Sequence, residues 1–254
     1  MSKPSRNRAR RATGVGERCR RRVVAFFSAL SILSLAAAGA AAAECDSDAV
    51  RVGDVCVDKY EASVWSTPQG GAPGTQLTSY PCAADGQDCG GKIFARSVSG
   101  VAPARDISWF QALAACANVG KRLLTNAEWQ MAAAGTVDRG AADDHDRDCN
   151  TNTPFPPLPA GSRLSCVSFY GAYDMVGNVW EWVSDWVPRS QPCPGWGAFS
   201  DDTMCLSGAV GLAQGPGAIY RGGDFSSGNG AGAFAISGQL EPYQQESVGF
   251  RCAR

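Results

Sequence analysis

Between Tyr173 and Trp186 the chain reads YDMVGNVWEWVSDW, which places Asp174, Glu181, Asp185 and three tryptophans around a Gly177–Asn178 turn. Acids spaced around such a turn can form an acid/base pair, offer oxygens to a hard cation, or cap a tight turn at the mouth of a core strand. The rings are more ordinary. Trp180, Trp182 and Trp186 recur on one period-two face, with Glu181, Val183 and Asp185 opposite, the pattern of a strand that buries aromatic area. Further on, RGGDFSSGNGAG sets Asp224 three residues before Ser227. A site using Asp224, Ser227 and Glu181 lacks an identifiable general base with a tuning neighbour, and Asp224 after Gly222–Gly223 is also a turn cap. His145 is the single histidine, so no two- or three-histidine iron site can be built within one chain.

The cysteines point to a scaffold rather than a redox or zinc motif. Cys19 lies in the basic N-terminus, and ten follow: Cys45, Cys56, Cys82, Cys89, Cys116, Cys149, Cys166, Cys193, Cys205 and Cys252. No CxxC or His-paired spacing suggests zinc, and an even number in an exported chain implies five disulfides. Export is signalled at the start. Residues 1–22 carry nine Lys/Arg against one acid, an apolar run follows, and Ala41–Ala43 form an A-x-A site before Glu44. This reads as a secretory signal over residues 1–43, delivering the protein to a periplasm or the exterior. The apolar residues 23–43 are also long enough for an uncleaved membrane anchor, although alanine-rich ending favours cleavage. Residues 44–254 keep 14 Lys/Arg against 23 Asp/Glu. That acidic balance argues against nucleic acid and, after cleavage, against membrane as partners.

The elements that must position these residues are few, because 30 Gly and 14 Pro break the chain often. Ser108 with Gln111, and Thr125 with Glu128, are capping-box pairs that open two short helices, ended by Gly120 and Gly135. Phe110, Leu113, Ala114 and Ala117 mark the expected apolar face of the first. Residues 136–166 read as a loop, tied by Cys149–Cys166. Proximity along the chain also suggests Cys45–Cys56, Cys82–Cys89 and Cys193–Cys205. AIYRGGDF and SVGFRCAR are β-like. The pattern is one irregular, loop-rich α+β domain over residues 44–254, with two short helices and short antiparallel strands.

Four segments in order, GKRLLTNAEWQMAAAG, YDMVGNVWEWVSDW, YRGGDF and VGFRCAR, resemble the formylglycine-generating enzyme (sulfatase-modifying factor) family, and CVDKYEAS resembles the start of its domain. The resemblance implies that family's C-type-lectin-related fold. It also implies a structural calcium held by side-chain oxygens of Asp174 and Glu181 and the carbonyls of Gly177 and Val179. The Gly-Asn turn and its two acids suit calcium's demand for hard oxygens. A second family calcium loop near Asn150 and Thr151 lacks its downstream acid. Trp180 falls near the family's active-site groove, and the family's long-range disulfide corresponds to Cys116–Cys252.

The family oxidises a sulfatase cysteine to formylglycine with two cysteines that bind copper(I), a soft ion that needs thiolates. Ser227 and Gly232 stand at those positions here, so no catalytic residue carries over and copper is not expected. Ala133 and Ser237 occupy both ends of another family disulfide. These departures imply a non-catalytic binding or structural module for a peptide, glycan or protein, with an open groove along Ser226–Ser237 lined by Trp180, Asp224 and Ser227. The alternatives are a superfamily oxidoreductase with an altered site and, last, a true sulfatase activator.

Overall fold

The computed structural model describes residues 44–71, 75–154, 156–187, 200–202, 217–239 and 243–254. The segment expected to be a signal or anchor and the expected Cys193–Cys205 pairing lie outside them. Among the described residues no helix is long and apolar enough to cross a membrane.

Short apolar segments between turns give ten strands. They are β1 (Ala49–Val52), β2 (Val55–Asp58), β3 (Ala62–Trp65), β4 (Phe94–Ser97), β5 (Arg122–Leu123), β6 (Trp180–Val187), β7 (Gly217–Gly222), β8 (Gly232–Gln239), β9 (Val248–Phe250) and β10 (Cys252–Ala253). They form a four-stranded sheet in the order β1-β2-β10-β5, the hairpin β3-β4, and a second four-stranded sheet β8-β7-β6-β9. All pairings are antiparallel except β6 with β9, where Trp180, Glu181 and Trp182 lie beside Val248, Gly249 and Phe250 in parallel. That exception follows from the route of the chain, since β9 enters the sheet from the same end as β6.

Both capping boxes form. Helix α1 (Trp109–Ala117) is closed by Ser108 and Gln111, and α2 (Asn126–Ala132) by Thr125 and Glu128. The expected face of α1 is corrected by the structure. Its buried residues are Gln111, Ala112, Ala115 and Cys116, while Phe110, Leu113 and Ala114 are half-buried and Ala117 is exposed. A disulfide explains the rotation: Cys116–Cys252 ties this side of α1 to β10. Gln111 can be buried there because its amide donates to the Cys82 carbonyl while its carbonyl caps Ser108.

The β6 strand divides the core. Trp180 and Trp182 face one apolar cluster with Ile107, Leu123 and Phe250. Val183 faces another, with Trp129, Met175 and Leu124. The buried Trp182 Nε1 donates to the Ile107 carbonyl at 2.9 Å, so the ring enters the core without leaving its polar atom unpaired. Three of the disulfides suggested by proximity are present, Cys45–Cys56, Cys82–Cys89 and Cys149–Cys166. With Cys116–Cys252 the described residues hold four, the marks of an oxidising environment.

Candidate functional site

The turn before β6 is held by left-handed backbone at three residues, Asp174, Gly177 and Asn178, with φ of 57°, 74° and 59°. Asn tolerates that region and glycine is required at its centre, because a Cβ on Gly177 would come within 2.3 Å of the Asn150 carbonyl oxygen. The turn thus clamps the 150–153 segment. Asn178 N–H donates to Asn150 O, and Asn150 Nδ2 donates to Asn178 Oδ1 at 2.9 Å.

Behind the turn lie three buried carboxylates and one buried guanidinium. Asp174, Glu61 and Glu181 are 3%, 1% and 1% exposed, and Arg251 is fully buried. Glu181 spends both oxygens. Arg251 Nη2 and Nε donate to Oε1 and Oε2 at 2.6 and 2.8 Å, and Trp129 Nε1 donates to Oε2 at 2.7 Å. Glu61 accepts from the Val179 amide at 3.1 Å and from Asn178 Nδ2 at 2.5 Å, which fixes the turn from beneath. Asp174 accepts from the Gly161 amide at 2.6 Å. Burial drives the Asp174 carboxyl up to about 7 against the pull of the Gly161 amide and Arg251. Burial, then the charges of Asp174 and Glu181, lift Glu61 well above the usual carboxylate range. Arg251 is held charged: burial opposes its charge, but the Glu181 carboxylate outweighs it.

This arrangement bears on the calcium expected from Asp174, Gly177, Val179 and Glu181. The cluster fits a cation in charge, since three carboxylates surround a single arginine. It fits less well in donors, because Glu181 could reach an ion only with an oxygen shared with Arg251 or Trp129. Among the described residues no group of three or more His, Cys, Asp or Glu side chains is arranged to hold a metal. Asn150 and Thr151, at the second expected loop, are used structurally. The Thr151 amide and hydroxyl donate to Asp143 Oδ2 and the Gly140 carbonyl.

At the second candidate position Asp224 folds its own turn. Its Oδ1 accepts from the Ser226 amide at 2.9 Å, from Ser226 Oγ at 3.0 Å and from Ser227 Oγ at 2.9 Å. Ser227 Oγ in turn accepts from the Asp224 amide at 3.0 Å, so both hydrogen-bonding directions of the hydroxyl are used. Its only hydrogen-bonded base among the described residues is Asp224, whose same oxygen also holds Ser226, so the contact closes a turn. Gly232 has no room for a side chain in this conformation: a Cβ there would meet the Asp202 carboxylate oxygens at 2.1 Å. Asp202 accepts from the Phe234 amide at 2.9 Å and shares a side-chain hydrogen bond with Asp138. Burial, and after it the Asp202 carboxyl, push Asp138 up to about 6, although the Gly140 amide pulls the other way.

The open groove expected along Ser226–Ser237 is corrected. From Gly232 onward the segment is strand β8, paired with β7, with Ala231 and Ala235 fully buried. Glycine and alanine weaken the strand signal but let the two strands lie close. Trp180 is 8% exposed and meets Tyr220 edge-on, with centroids 4.9 Å apart, inside the core. Ala133 and Ser237, at the lost disulfide, are both buried, and the Ser237 hydroxyl donates to Tyr220 Oη at 3.2 Å.

Glu61, Arg251, Asp138 and Asp202 are not among the residues to which motif and spacing point. Glu61 and Arg251 had a signal: each is a lone charge in an apolar stretch, EASVW and VGFRC, the setting of a buried pair. Asp138 and Asp202 sit in acid-rich loops and had none.

An irregular α+β domain with few helices, short strands and a turn-clamped tryptophan strand is a C-type-lectin-like fold of the formylglycine-generating-enzyme kind. Residues 54–254 match the family described as "Sulfatase-modifying factor enzyme 1-like domain", and the chain belongs to that family. It is similar to "Inactive C-alpha-formylglycine-generating enzyme 2" of Bos taurus, 30% identical over 167 residues, 59% of this chain and 50% of the relative. It is equally similar to "Serine/threonine-protein kinase pkn1" of Chlamydia pneumoniae, 30% identical over 164 residues, 60% of this chain and 24% of the relative. The chain therefore spans half or less of these relatives. Among solved structures, "Major Tropism Determinant I1 Variant" superposes with a TM-score of 0.50 at 15% identity, covering 82% of this chain and 52% of that one, a likeness of fold alone.

Proposed function

We propose that this chain is an exported, non-catalytic binding or structural module built on the sulfatase-modifying-factor fold. The observation that carries the reading is the state of the two positions matched to the family's copper thiolates. Ser227 is a hydroxyl locked in the Asp224 turn, and Gly232 is a glycine pressed against Asp202. A hydroxyl and a methylene hydrogen cannot replace two soft donors. The relatives described as inactive formylglycine-generating enzymes are consistent with a family that keeps its fold without its chemistry. The test is incubation of the mature protein with copper, oxygen and a CxPxR peptide. The reading expects no aldehyde and no tightly held copper.

A second reading, an oxidoreductase with a changed site, has one observation in its favour. The hydrogen-bonded Asp138–Asp202 carboxyl pair lies where Gly232 has no side chain, and hard oxygens suit iron rather than copper(I). Stoichiometric iron in the purified protein, with oxygen uptake on thiol substrates, would favour it.

Calcium is proposed as a structural ion beside the Asp174 turn, held by side-chain oxygens of Asp174 and Glu181 and the carbonyls of Gly177 and Val179. The excess of buried carboxyl groups over cations, three against Arg251 alone, supports it. Bound there, the ion would neutralise acids that burial alone keeps protonated. Export is supported by the disulfides and by the sequence of residues 1–43.

A further inference from the structure

Apart from these sites, His145, Asp146, Thr153, Pro154, Leu158, Ser162 and Arg163 line a cleft of about 500 Å³. Arg163 sets this cleft apart. The residue is 5% exposed, its Nε is buried without a partner, and its guanidinium forms no hydrogen bond or ion pair among the described residues. The other two buried arginines are fully engaged: Arg251 on Glu181 and three carbonyls, Arg221 on Asn126, Gln130 and two carbonyls. A desolvated guanidinium with unused donors is costly, and the cost is recovered when a planar anion meets its fork. Asp144 and Asp174 act on Arg163 through space, yet neither makes contact with it.

The remaining lining narrows the ligand. Thr153 Oγ1 donates to Asn150 Oδ1 at 2.8 Å, and Ser162 Oγ donates to the Pro159 carbonyl at 2.5 Å. Their protons are committed, so both hydroxyls, like the Asp146 carboxylate, offer only acceptors. Such acceptors want N–H groups or a positive charge on the ligand. Pro154 and Leu158 add apolar surface. Asp146 in the wall and Asp144 nearby disfavour a dianion, so a single negative charge is better tolerated than phosphate.

We propose that this cleft binds a small amphoteric carboxylate, with the carboxylate on Arg163, an ammonium or amide N–H toward Asp146 and the two hydroxyls, and a short hydrocarbon on Pro154 and Leu158. A free apolar amino acid and the carboxy-terminal residue of a peptide share this chemistry. The assignment gives the binding-module reading a ligand class and rests on that reading only in this respect. Its experiment records binding, which residual oxidase activity would leave unaltered.

The test is calorimetric titration of the mature chain with L-leucine, N-acetyl-leucine, leucinamide, the tripeptide Gly-Gly-Leu and inorganic phosphate. Leucine, the tripeptide or both should bind, while leucinamide and phosphate should not. Binding of leucine alone assigns a free amino acid, and binding of the tripeptide or N-acetyl-leucine assigns a peptide terminus. Arg163→Lys, which keeps the charge but loses the fork, should weaken binding at least tenfold with an unchanged melting temperature. Arg163→Met should abolish it, and if that variant fails to fold the lysine variant decides. Silence from every carboxylate, equal binding of leucinamide or phosphate, or undiminished binding to Arg163→Lys would overturn the assignment.

Discussion

Arg251 and Glu181 form a two-pronged ion pair in which neither side chain reaches solvent, with Nη2–Oε1 at 2.6 Å and Nε–Oε2 at 2.8 Å. The pair joins the C-terminal strands to β6. Arg251 also donates to the carbonyls of Asp58 and Tyr173 at 3.0 and 2.7 Å, so one side chain fastens three segments. Removing one partner of such a pair leaves an uncompensated buried charge, typically at a cost of about 3–5 kcal/mol.

The two halves of the pair should not be equivalent. Arg251→Met leaves Glu61, Asp174 and Glu181 without their cation, whereas Glu181→Gln leaves Arg251 still facing two acids. In urea unfolding without added calcium, Arg251→Met should lose at least about 3 kcal/mol and more than Glu181→Gln. The reverse order would contradict the charge imbalance described for this cluster.

The raised acids set a pH dependence. Asp58, lifted to about 6 by burial against the opposing pull of Lys121, and Asp174, lifted to about 7, keep protons in the folded chain that the unfolded chain has released. Glu61 acts in the same direction. The native state therefore binds more protons than the unfolded state between about pH 4 and 7, and stability falls as pH rises through that window. In chelator the melting temperature should be higher at pH 5 than at pH 7.5. Below about pH 4 the trend turns, because Glu128, held down to about 2 chiefly by its hydrogen bonds with Arg122, begins to lose its contribution. That pair is partly exposed and its share is small. A melting temperature that rises from pH 5 to 7.5 in chelator would show that these acids are ionised in the native protein.

Calcium should alter that profile. An ion bound only by the native state adds about 2.7 kcal/mol at a hundred times its dissociation constant. At pH 7.5 added calcium should raise the melting temperature and flatten the fall between pH 5 and 7.5, and Asp174→Ala should remove both effects. Identical melting with calcium and with chelator would count against an ion at Asp174.

Glycines with positive φ provide a paired comparison. Gly120 and Gly177 have φ of 70° and 74°, but a Cβ on Gly120 meets nothing within 4 Å while one on Gly177 meets the Asn150 carbonyl at 2.3 Å. Gly120→Ala should cost about 1–2 kcal/mol from backbone conformation alone. Gly177→Ala should cost clearly more, since the 150–153 segment must move. Equal losses in chemical denaturation would show that the clamp is not tight.

Local signals in the sequence were legible where the cause is local. Ser108/Gln111 and Thr125/Glu128 cap both helices as read, because a capping box is complete within four residues. Cysteine pairs close in sequence formed as proximity suggested. The buried side of α1 departs from its apolar pattern because a distant partner, Cys252, fixes its rotation. Strand β8 was missed because Gly and Ala carry little strand propensity, and its place comes from pairing with β7. The Glu61–Arg251–Glu181 cluster assembles from residues up to 190 apart in the chain (Glu61 to Arg251), and Arg163 gains meaning only from what fails to meet it.

Most direct for the central claim is to offer a protein of residues 44–254 a CxPxR peptide with copper(I) and oxygen, and to follow aldehyde by mass spectrometry alongside copper content and free thiols. With a hydroxyl and a glycine at Ser227 and Gly232, the expected result is unmodified peptide, no stoichiometric copper and no titratable thiol. Catalytic conversion of the cysteine to an aldehyde, or one copper bound per chain by reactive thiols, would contradict the account of a retired copper site.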